Sequence, residues 1–415
     1  MSSPSPPTGP SEIRGSLLYP AGPLKMQSYE TTLTVPEPTV SRKRRRWPFV
    51  SSAIVILLAV LVVVASRITL SEYALVPGDA LSVSQLITLP KGQAHPLHGK
   101  LLLTDVGVNN VTLLGLIPAW LNSDTTLVSS NELTYGLPLS EFDGEGTVDM
   151  AESQLTAESV ALRQLGYSVP EHDVGVTVYV IDPHSPAYRA LQVGNVITAL
   201  DGTPTPNPVA LEKAVRAHKP GEQITLQVGS IAHPTPGHPV GLRLSSISEG
   251  HNTVPFIGIG DPAAPIAGLG TQPQYQFPFQ VSINSDQIGG PSAGLAWTLG
   301  IVNGLSGGQL TGGRTVAATG TIDPDGSVGD VGGVEQKTVA VERAGASVFL
   351  VPDPEVATAR SKATPGLEVM GVGSVSQALK DLQRLGGSLG SAALGPPAGP
   401  GGHSVPYDWQ DSPWS

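Results

Sequence analysis

The stretch Gly289-Gly290-Pro291-Ser292-Ala293-Gly294 sets one serine among residues with almost no side chains. Pro291 has a fixed φ and suits the first position of a helix. The residues that follow, Leu295, Ala296, Trp297, Leu299, Ile301 and Val302, read as a largely buried helix. Ser292 is thereby expected in the first turn, where backbone N–H groups have no partner within the helix. Gly290 and Gly294 leave room for a second backbone to approach. This is how a nucleophile is presented, and a serine nucleophile needs an activating base.

Gly290-x-Ser292-x-Gly294 formally fits the nucleophile elbow of α/β-hydrolases, which requires an acid and then a histidine later in the chain. The only histidine after Ser292 is His403, in a Gly/Ala/Pro/Ser tail. The earlier ones, from His95 to His251, fall in loops or in a separate β-rich stretch, and no His-Glu-x-x-His is present. A serine without a histidine can use a lysine. Lys337, Lys362 and Lys380 follow Ser292. Lys362 sits in a polar loop, and Lys380 beside Asp381 reads as a solvated face. Lys337 shares its helix face with Val334, Ala340, Val341 and Ala344. Burial there, and the positive end of the helix, would lower its pKa toward neutrality. The residues alone leave two readings open: a neutral general base, or a lysine that snorkels to solvent.

Outward from this stretch the chain has 415 residues, 49 Gly, 39 Pro and 14% charged residues, so part of it is linker or tail. Without cysteine, disulfides, zinc–thiolate sites and cysteine nucleophiles are excluded. A net charge of −11 argues against nucleic-acid binding. Residues 1–41 and 386–415 have disordered composition. The basic run Arg42-Lys43-Arg44-Arg45-Arg46 precedes Phe49–Ala65, seventeen apolar or small residues without charge. At ~1.5 Å rise per residue this is at the short end for a bilayer span. Residues 48–66 are read as an uncleaved signal anchor with the N-terminus in the cytoplasm, Trp47 and Arg67 at the interfaces, and the rest beyond the bacterial cytoplasmic membrane. A cleaved signal peptide is the alternative, with a shorter apolar stretch and a small-x-small site that is not evident here.

Residues 71–97 are read as an extended juxtamembrane segment, followed by strands at Lys100–Thr104 and Val111–Leu114 and a helix over Val148–Leu165. Residues 170–245 then change character. The strand Gly175-Val176-Thr177-Val178, Ser185-Pro186-Ala187, Leu191-x-x-Gly194-x-x-Ile197 and Asp201-Gly202, with a helix over Pro208–His218, resemble a bacterial PDZ domain. The resemblance implies peptide binding by strand addition, with Gly175, Val176, Thr177 and Val178 as the accepting edge. Two departures, Asn195 for a common Asp and an acidic Glu171-His172-Asp173-Val174 where a carboxylate-binding loop would precede Gly175, favour internal segments over free C-termini.

Residues 250–385 read as α/β: strands at Phe279–Ile283, Val316–Ile322 and Val348–Pro352, and helices at Val334–Ala344 and Val375–Leu385. Gly290-Pro291-Ser292-Ala293-Gly294, Thr319-Gly320-x-Ile322, Gly326-x-Val328, Gly332-Gly333 and Lys337 resemble the Lon proteolytic domain. That resemblance implies a Ser292–Lys337 dyad, 45 residues apart, with Thr319 hydrogen-bonding near the lysine. Met150-x-x-Ser153 resembles a helix preceding the serine strand, which implies that the PDZ-like part is inserted into the protease fold. The fold expected is mixed α+β or α/β, a Lon-type domain with a PDZ-like insert after one transmembrane helix, the arrangement of YlbL-type proteins. The resemblance also implies protein or peptide substrates and a homo-oligomer. No Gly-x-x-x-x-Gly-Lys-Ser/Thr occurs, so neither ATP nor another cofactor is expected, and no metal. Gly289 stands where some Lon proteases carry an acid, and Asp286 is further off. The rival reading is an inactive, membrane-tethered peptide-binding scaffold, against which the retention of both Ser292 and Lys337 argues.

Overall fold

The structure is a computed structural model that describes residues 47–134, 139–260, 268–285 and 288–390. Residues 1–46 and 391–415, with the basic run and His403, and Asp286 lie outside the described residues.

In chain order the first part holds α1 (Trp47–Ala65), β1 (Thr69–Ser82), β2 (Ile87–Thr88), β3 (Lys100–Thr112), α2 (Leu116–Leu121), β4 (Thr126–Ser129), α3 (Ser130–Thr134) and α4 (Leu139–Gln164). The middle holds β5 (Glu171–Val178), β6 (Asn195–Leu200), β7 (Thr203–Pro204), α5 (Pro208–Arg216), β8 (Gln223–Ser230), β9 (His238–Arg243), β10 (Ser245–Glu249), β11 (Asn252–Phe256) and β12 (Leu269–Tyr275). The last part holds β13 (Ser282–Ile283), α6 (Gly294–Leu305), β14 (Thr315–Ala318), β15 (Thr321–Ile322), β16 (Val328–Gly329), α7 (Val334–Arg343), β17 (Val348–Pro352), α8 (Val356–Lys362), β18 (Glu368–Val372) and α9 (Val375–Arg384). Among the described residues no helix is long and apolar enough to cross a membrane.

One sheet has the order β18-β17-β14-β3-β1-β4. It joins strands from before and after the middle part, so the middle part interrupts it. The strands β18, β17, β14 and β3 run parallel, and β1 pairs antiparallel with both β3 and β4. Parallel strands covered on both faces read as continuous apolar runs. Alternate residues divide accordingly: Leu101, Leu103, Val316, Ala318, Val348 and Leu350 join a core with α4 and α6. Leu102, Ala317, Phe349 and Val351 join Val334 and Val341 of α7 on the other face.

Three sequence expectations change in detail. The segment 71–97 is extended only in part: residues 71–82 belong to β1, paired along β3, and a 3₁₀ turn over Val83–Gln85 and the short β2 follow. The two strands expected within 100–114 are one, because that pairing is nearly continuous. The strand expected over Phe279–Ile283 shrinks to β13, since the Val281 N–H leaves the ladder for the buried Glu158 carboxylate, 3.2 Å away. Burial pushes the Glu158 pKa up to about 8.

A second sheet has the order β12-β5-β6-β8-β9. It draws β12 from beyond the expected 245–250 boundary, so the β-rich unit extends to Tyr275. Its separate core contains Val176, Val178, Ile197, Leu211, Ile224 and Leu226.

The helix after Ser292 is buried almost completely, with Trp297 at its centre. Gly300 of α6 lies against the segment leading to β2: a Cβ there would sit 2.4 Å from Val83 Cγ1 and 2.9 Å from Ile87 Cδ1. Gly300→Val is expected to destabilise the fold by about 1–3 kcal/mol through overpacking, read as a lowered urea midpoint at unchanged m-value.

Candidate active site

Ser292 lies in the middle of a single 3₁₀ turn, Pro291–Ala293, that runs directly into α6. Gly290 opens the turn at φ +80°, a value that favours glycine, and its N–H is held by the Gly146 carbonyl of α4 at 2.7 Å. Also on α4, the Ser153 hydroxyl donates to the Pro291 carbonyl at 3.1 Å. Gly294 has no space for a side chain, because a Cβ would meet Ile322 N and Ser153 Oγ at 3.0 Å. The serine turn is thus clamped on both sides by α4.

The expected strand over Val316–Ile322 breaks after Ala318. There the Thr319 N–H still donates to the Leu350 carbonyl of β17 at 3.0 Å, and Gly320, at φ +150°, turns the chain toward the serine turn. The Gly320 N–H donates to the Ser292 carbonyl at 2.9 Å. The Thr319 hydroxyl donates to the same carbonyl at 3.1 Å, and Lys337 Nζ donates to that hydroxyl at 3.2 Å. Thr319, fully buried, therefore connects the serine turn to the lysine.

Lys337 is on the first turn of α7, which starts at Gly333 in the left-handed region (φ +67°). The lysine is 2% exposed. Of the expected apolar neighbours Val334, Ala340 and Val341 are buried, whereas Ala344 is exposed beyond the last helical turn. Burial lowers the Lys337 pKa to about 8 against the opposing pull of Glu355 and Asp105. Ser292 and Lys337 both line one open cleft of about 1410 Å³, together with Gly289, Gly290, Pro291 and Gly333.

The cleft also holds acids that the sequence reading did not single out. Asp105 sits at the end of the apolar run of β3, and its carboxylate accepts from the Asp79 N–H at 2.6 Å. Burial raises its pKa. A lone acid inside an apolar strand pattern was the available signal. Asp149 on α4 is raised to about 6 by burial, with Glu145 and Glu152 adding repulsion. Outside the cleft lining, Glu355 accepts from the Val331 N–H at 2.8 Å, which steadies the loop before α7. Its position after β17 gave no sequence signal. Among the described residues, no group of His, Cys, Asp and Glu is arranged to hold a metal ion.

The peptide-accepting edge expected at Gly175–Val178 is not an edge. β5 pairs with β6 on one side and with β12 on the other. The supposed loop Glu171–Val174 is itself part of β5, opposite Pro273–Tyr275. The open edge on that side is β12, since the chain returns past Ile257–Gly260 to lie against β5. A groove of about 400 Å³ runs between α5 and this returning segment, lined by Leu211, Val215, Phe256, Ile257, Ile259 and Leu269.

Residues 163–229 match the PDZ domain family, and residues 285–382 match the Lon protease (S16) C-terminal proteolytic domain. The chain carries a PDZ domain and a Lon-type proteolytic domain. A proteolytic domain of this kind is a serine peptidase of the S16 family. Among solved structures, the PDZ domain of the SdrC-like protein of Listeria monocytogenes is similar at 23% identity, covering 21% of this chain and 85% of that one, with a TM-score of 0.18. The corresponding PDZ domain from Listeria innocua is similar at 24% identity, covering 20% and 90%, again with a TM-score of 0.18. The Lon-type match spans Ser292, Thr319 and Lys337. The PDZ match ends before the groove wall at Phe256–Ile259.

Thr319→Val keeps the shape and removes the hydroxyl between the two residues. It is expected to cost about 1–3 kcal/mol and to reduce labelling of Ser292 by a fluorophosphonate at least tenfold. Thr319→Ser is expected to restore both, as measured by thermal denaturation and in-gel fluorescence.

Proposed function

We propose that the protein is a membrane-anchored, ATP-independent serine endopeptidase in which Ser292 is the nucleophile and Lys337 the general base. The observation that carries this reading is the buried Lys337 amine in the same cleft as Ser292, held by the Thr319 hydroxyl. That hydroxyl commits its own proton to the Ser292 carbonyl, so it can only accept from the amine. A neutral amine has two N–H donors and one lone pair. One N–H is used by Thr319, and the lone pair is left for the serine proton.

In the reaction Lys337 takes the proton of Ser292 as Oγ attacks a peptide carbonyl. The tetrahedral oxyanion collapses to an acyl-enzyme, and Lys337 returns the proton to the leaving amine. Water, deprotonated by the same amine, then releases the acid. Backbone N–H groups at the start of the Ser292 helix would stabilise the developing oxyanion. Asp105 and Glu355 restrain the fall of the lysine pKa, so the amine remains basic enough to accept a proton.

Substrates in this reading are unfolded or extended segments. The PDZ groove between α5 and the β12 side would take such a segment as an added strand, with apolar side chains entering the groove. β12 leads toward the serine turn, and its residues Gln272, Pro273 and Tyr275 share a cleft with Pro291, which supports delivery of substrate from groove to site. The missing nucleotide motif supports action on segments that are already unfolded. Assembly into a homo-oligomer rests on the Lon resemblance alone.

The anchor would be α1. As described, α1 is not long and apolar enough to span a bilayer, so the anchor reading rests on the sequence, where Phe49–Ala65 carries no charge and follows the basic run. Its side chains from Val50 to Val64 are broadly exposed and apolar. The basic run before it supports a cytoplasmic N-terminus, with the PDZ and Lon-type domains outside the bacterial cytoplasmic membrane.

The full chain in detergent, given unfolded casein without nucleotide, is expected to cleave it. Ser292→Ala and Lys337→Ala are each expected to lower the rate by ~10³-fold or more. Equal cleavage by all three would end the dyad assignment. The reactive form is the neutral amine, so the rate should rise with pH up to about 8 and level off above it.

A further inference from the structure

Large apolar side chains are left open to solvent next to α1 as well as along it. Ile68 is 45% exposed, Leu113 46%, Leu114 40%, Ile117 62%, Trp120 77% and Leu121 69%. The run Leu113-Leu114-Gly115-Leu116-Ile117-Pro118-Ala119-Trp120-Leu121 carries no charge, and no residue of α2 is buried. Ile117, Trp120 and Leu121 have the i, i+3, i+4 spacing of one helix face. An isolated helix this short is not stable in water, so its neighbours must hold it.

They hold it at both ends and leave the apolar face open. At the start, the Leu113 N–H donates to the Ile68 carbonyl at 2.9 Å and the Leu114 N–H to the Ala65 carbonyl at 3.2 Å. The run is therefore hydrogen-bonded to the last turn of the apolar helix. At the other end, Arg343 of α7 pairs with Asp124 at 2.8 Å, and Lys362 of α8 donates to the Ser123 carbonyl at 2.8 Å. The polar turn after α2 is fastened to the protease domain.

We propose that α2 and the leucines before it lie in the interfacial layer of the membrane that α1 enters, and seat the Lon-type domain against the bilayer surface. The proposal rests on the reading of α1 as a membrane anchor. Lipid is the occupant that fits. The patch is joined to the last residue of the apolar helix by the Leu114–Ala65 backbone hydrogen bond and to Ile68 just beyond it by Leu113. It also sets a tryptophan among aliphatic side chains, the composition of the boundary between headgroups and acyl chains. Arg343 and Lys337 are both on α7, so the bracing that fixes α2 also ties this seat to the catalytic helix. Segments emerging close to the membrane surface are then the favoured substrates.

The chain has no cysteine, so single cysteines can be introduced and labelled with an environment-sensitive fluorophore. The full chain is reconstituted into vesicles of phosphatidylethanolamine and phosphatidylglycerol that carry nitroxide lipids at shallow or deep positions. Leu57→Cys reports α1, Leu121→Cys reports α2, and Lys219→Cys in the PDZ domain is the control. Ile117→Cys repeats the test should Leu121→Cys misfold. The proposal predicts strong quenching at Leu57→Cys by the deep nitroxide, severalfold quenching at Leu121→Cys by the shallow one, and none at Lys219→Cys. Quenching at Leu57→Cys with none at Leu121→Cys or Ile117→Cys overturns the proposal and leaves the anchor standing. Crosslinking of Leu121→Cys to a second copy without quenching assigns the patch to oligomerisation and overturns it too. No quenching at Leu57→Cys removes the anchor reading itself.

Discussion

The site depends on keeping one amine dry. A charged lysine loses most of its solvation when its amine is enclosed, and the neutral form becomes accessible near neutral pH. Lys337 meets this condition at 2% exposure, with a hydroxyl rather than a carboxylate as its hydrogen-bond acceptor. Had a carboxylate taken the place of Thr319, the ion pair would have held the proton on nitrogen. The surrounding backbone accommodates that choice. β14 stops at Ala318 so that Thr319 can reach the serine turn, and Gly333 takes a left-handed conformation so that α7 begins with Lys337 in its first turn.

The same sheet that positions the site spans both sides of the β-rich unit. β1, β3 and β4 precede it in the chain and β14, β17 and β18 follow it, yet all belong to one layer. The return connection is β12, which completes the edge of the PDZ sheet before the chain continues toward Ser292. In the proposed reading, a peptide in the groove would be linked by this one strand to the residues approaching the serine turn, a short physical route between recognition and the candidate site.

Much of this was readable in the sequence. The helix after Ser292 announced itself because every apolar position from Leu295 to Val302 is core. β17 did so because both faces of its sheet are covered. Lys337 was legible from its helix face, and Thr319 and Ser153 from motif words, although only coordinates give their partners at Ser292 and Pro291. The PDZ edge was misplaced for a physical reason. Strand propensity identifies β5 but carries no information on which neighbour occupies its hydrogen-bonding side, and the partner, β12, lies about 90 residues later. Asp105 left a signal as a lone acid in an apolar strand, whereas Glu355 escaped because its relation to the lysine is made by tertiary contact alone.

The most direct test of the account is the titration of Lys337 in the folded chain, followed by NMR with ¹³C-labelled lysine side chains and assigned by Lys337→Arg. The account predicts that the Lys337 resonance titrates near pH 8, well below the ordinary lysine value of about 10.4. It also predicts that this resonance is still present in Ser292→Ala, because burial, and not the serine, sets the value. A Lys337 that titrates at the ordinary lysine value of about 10.4 would contradict it.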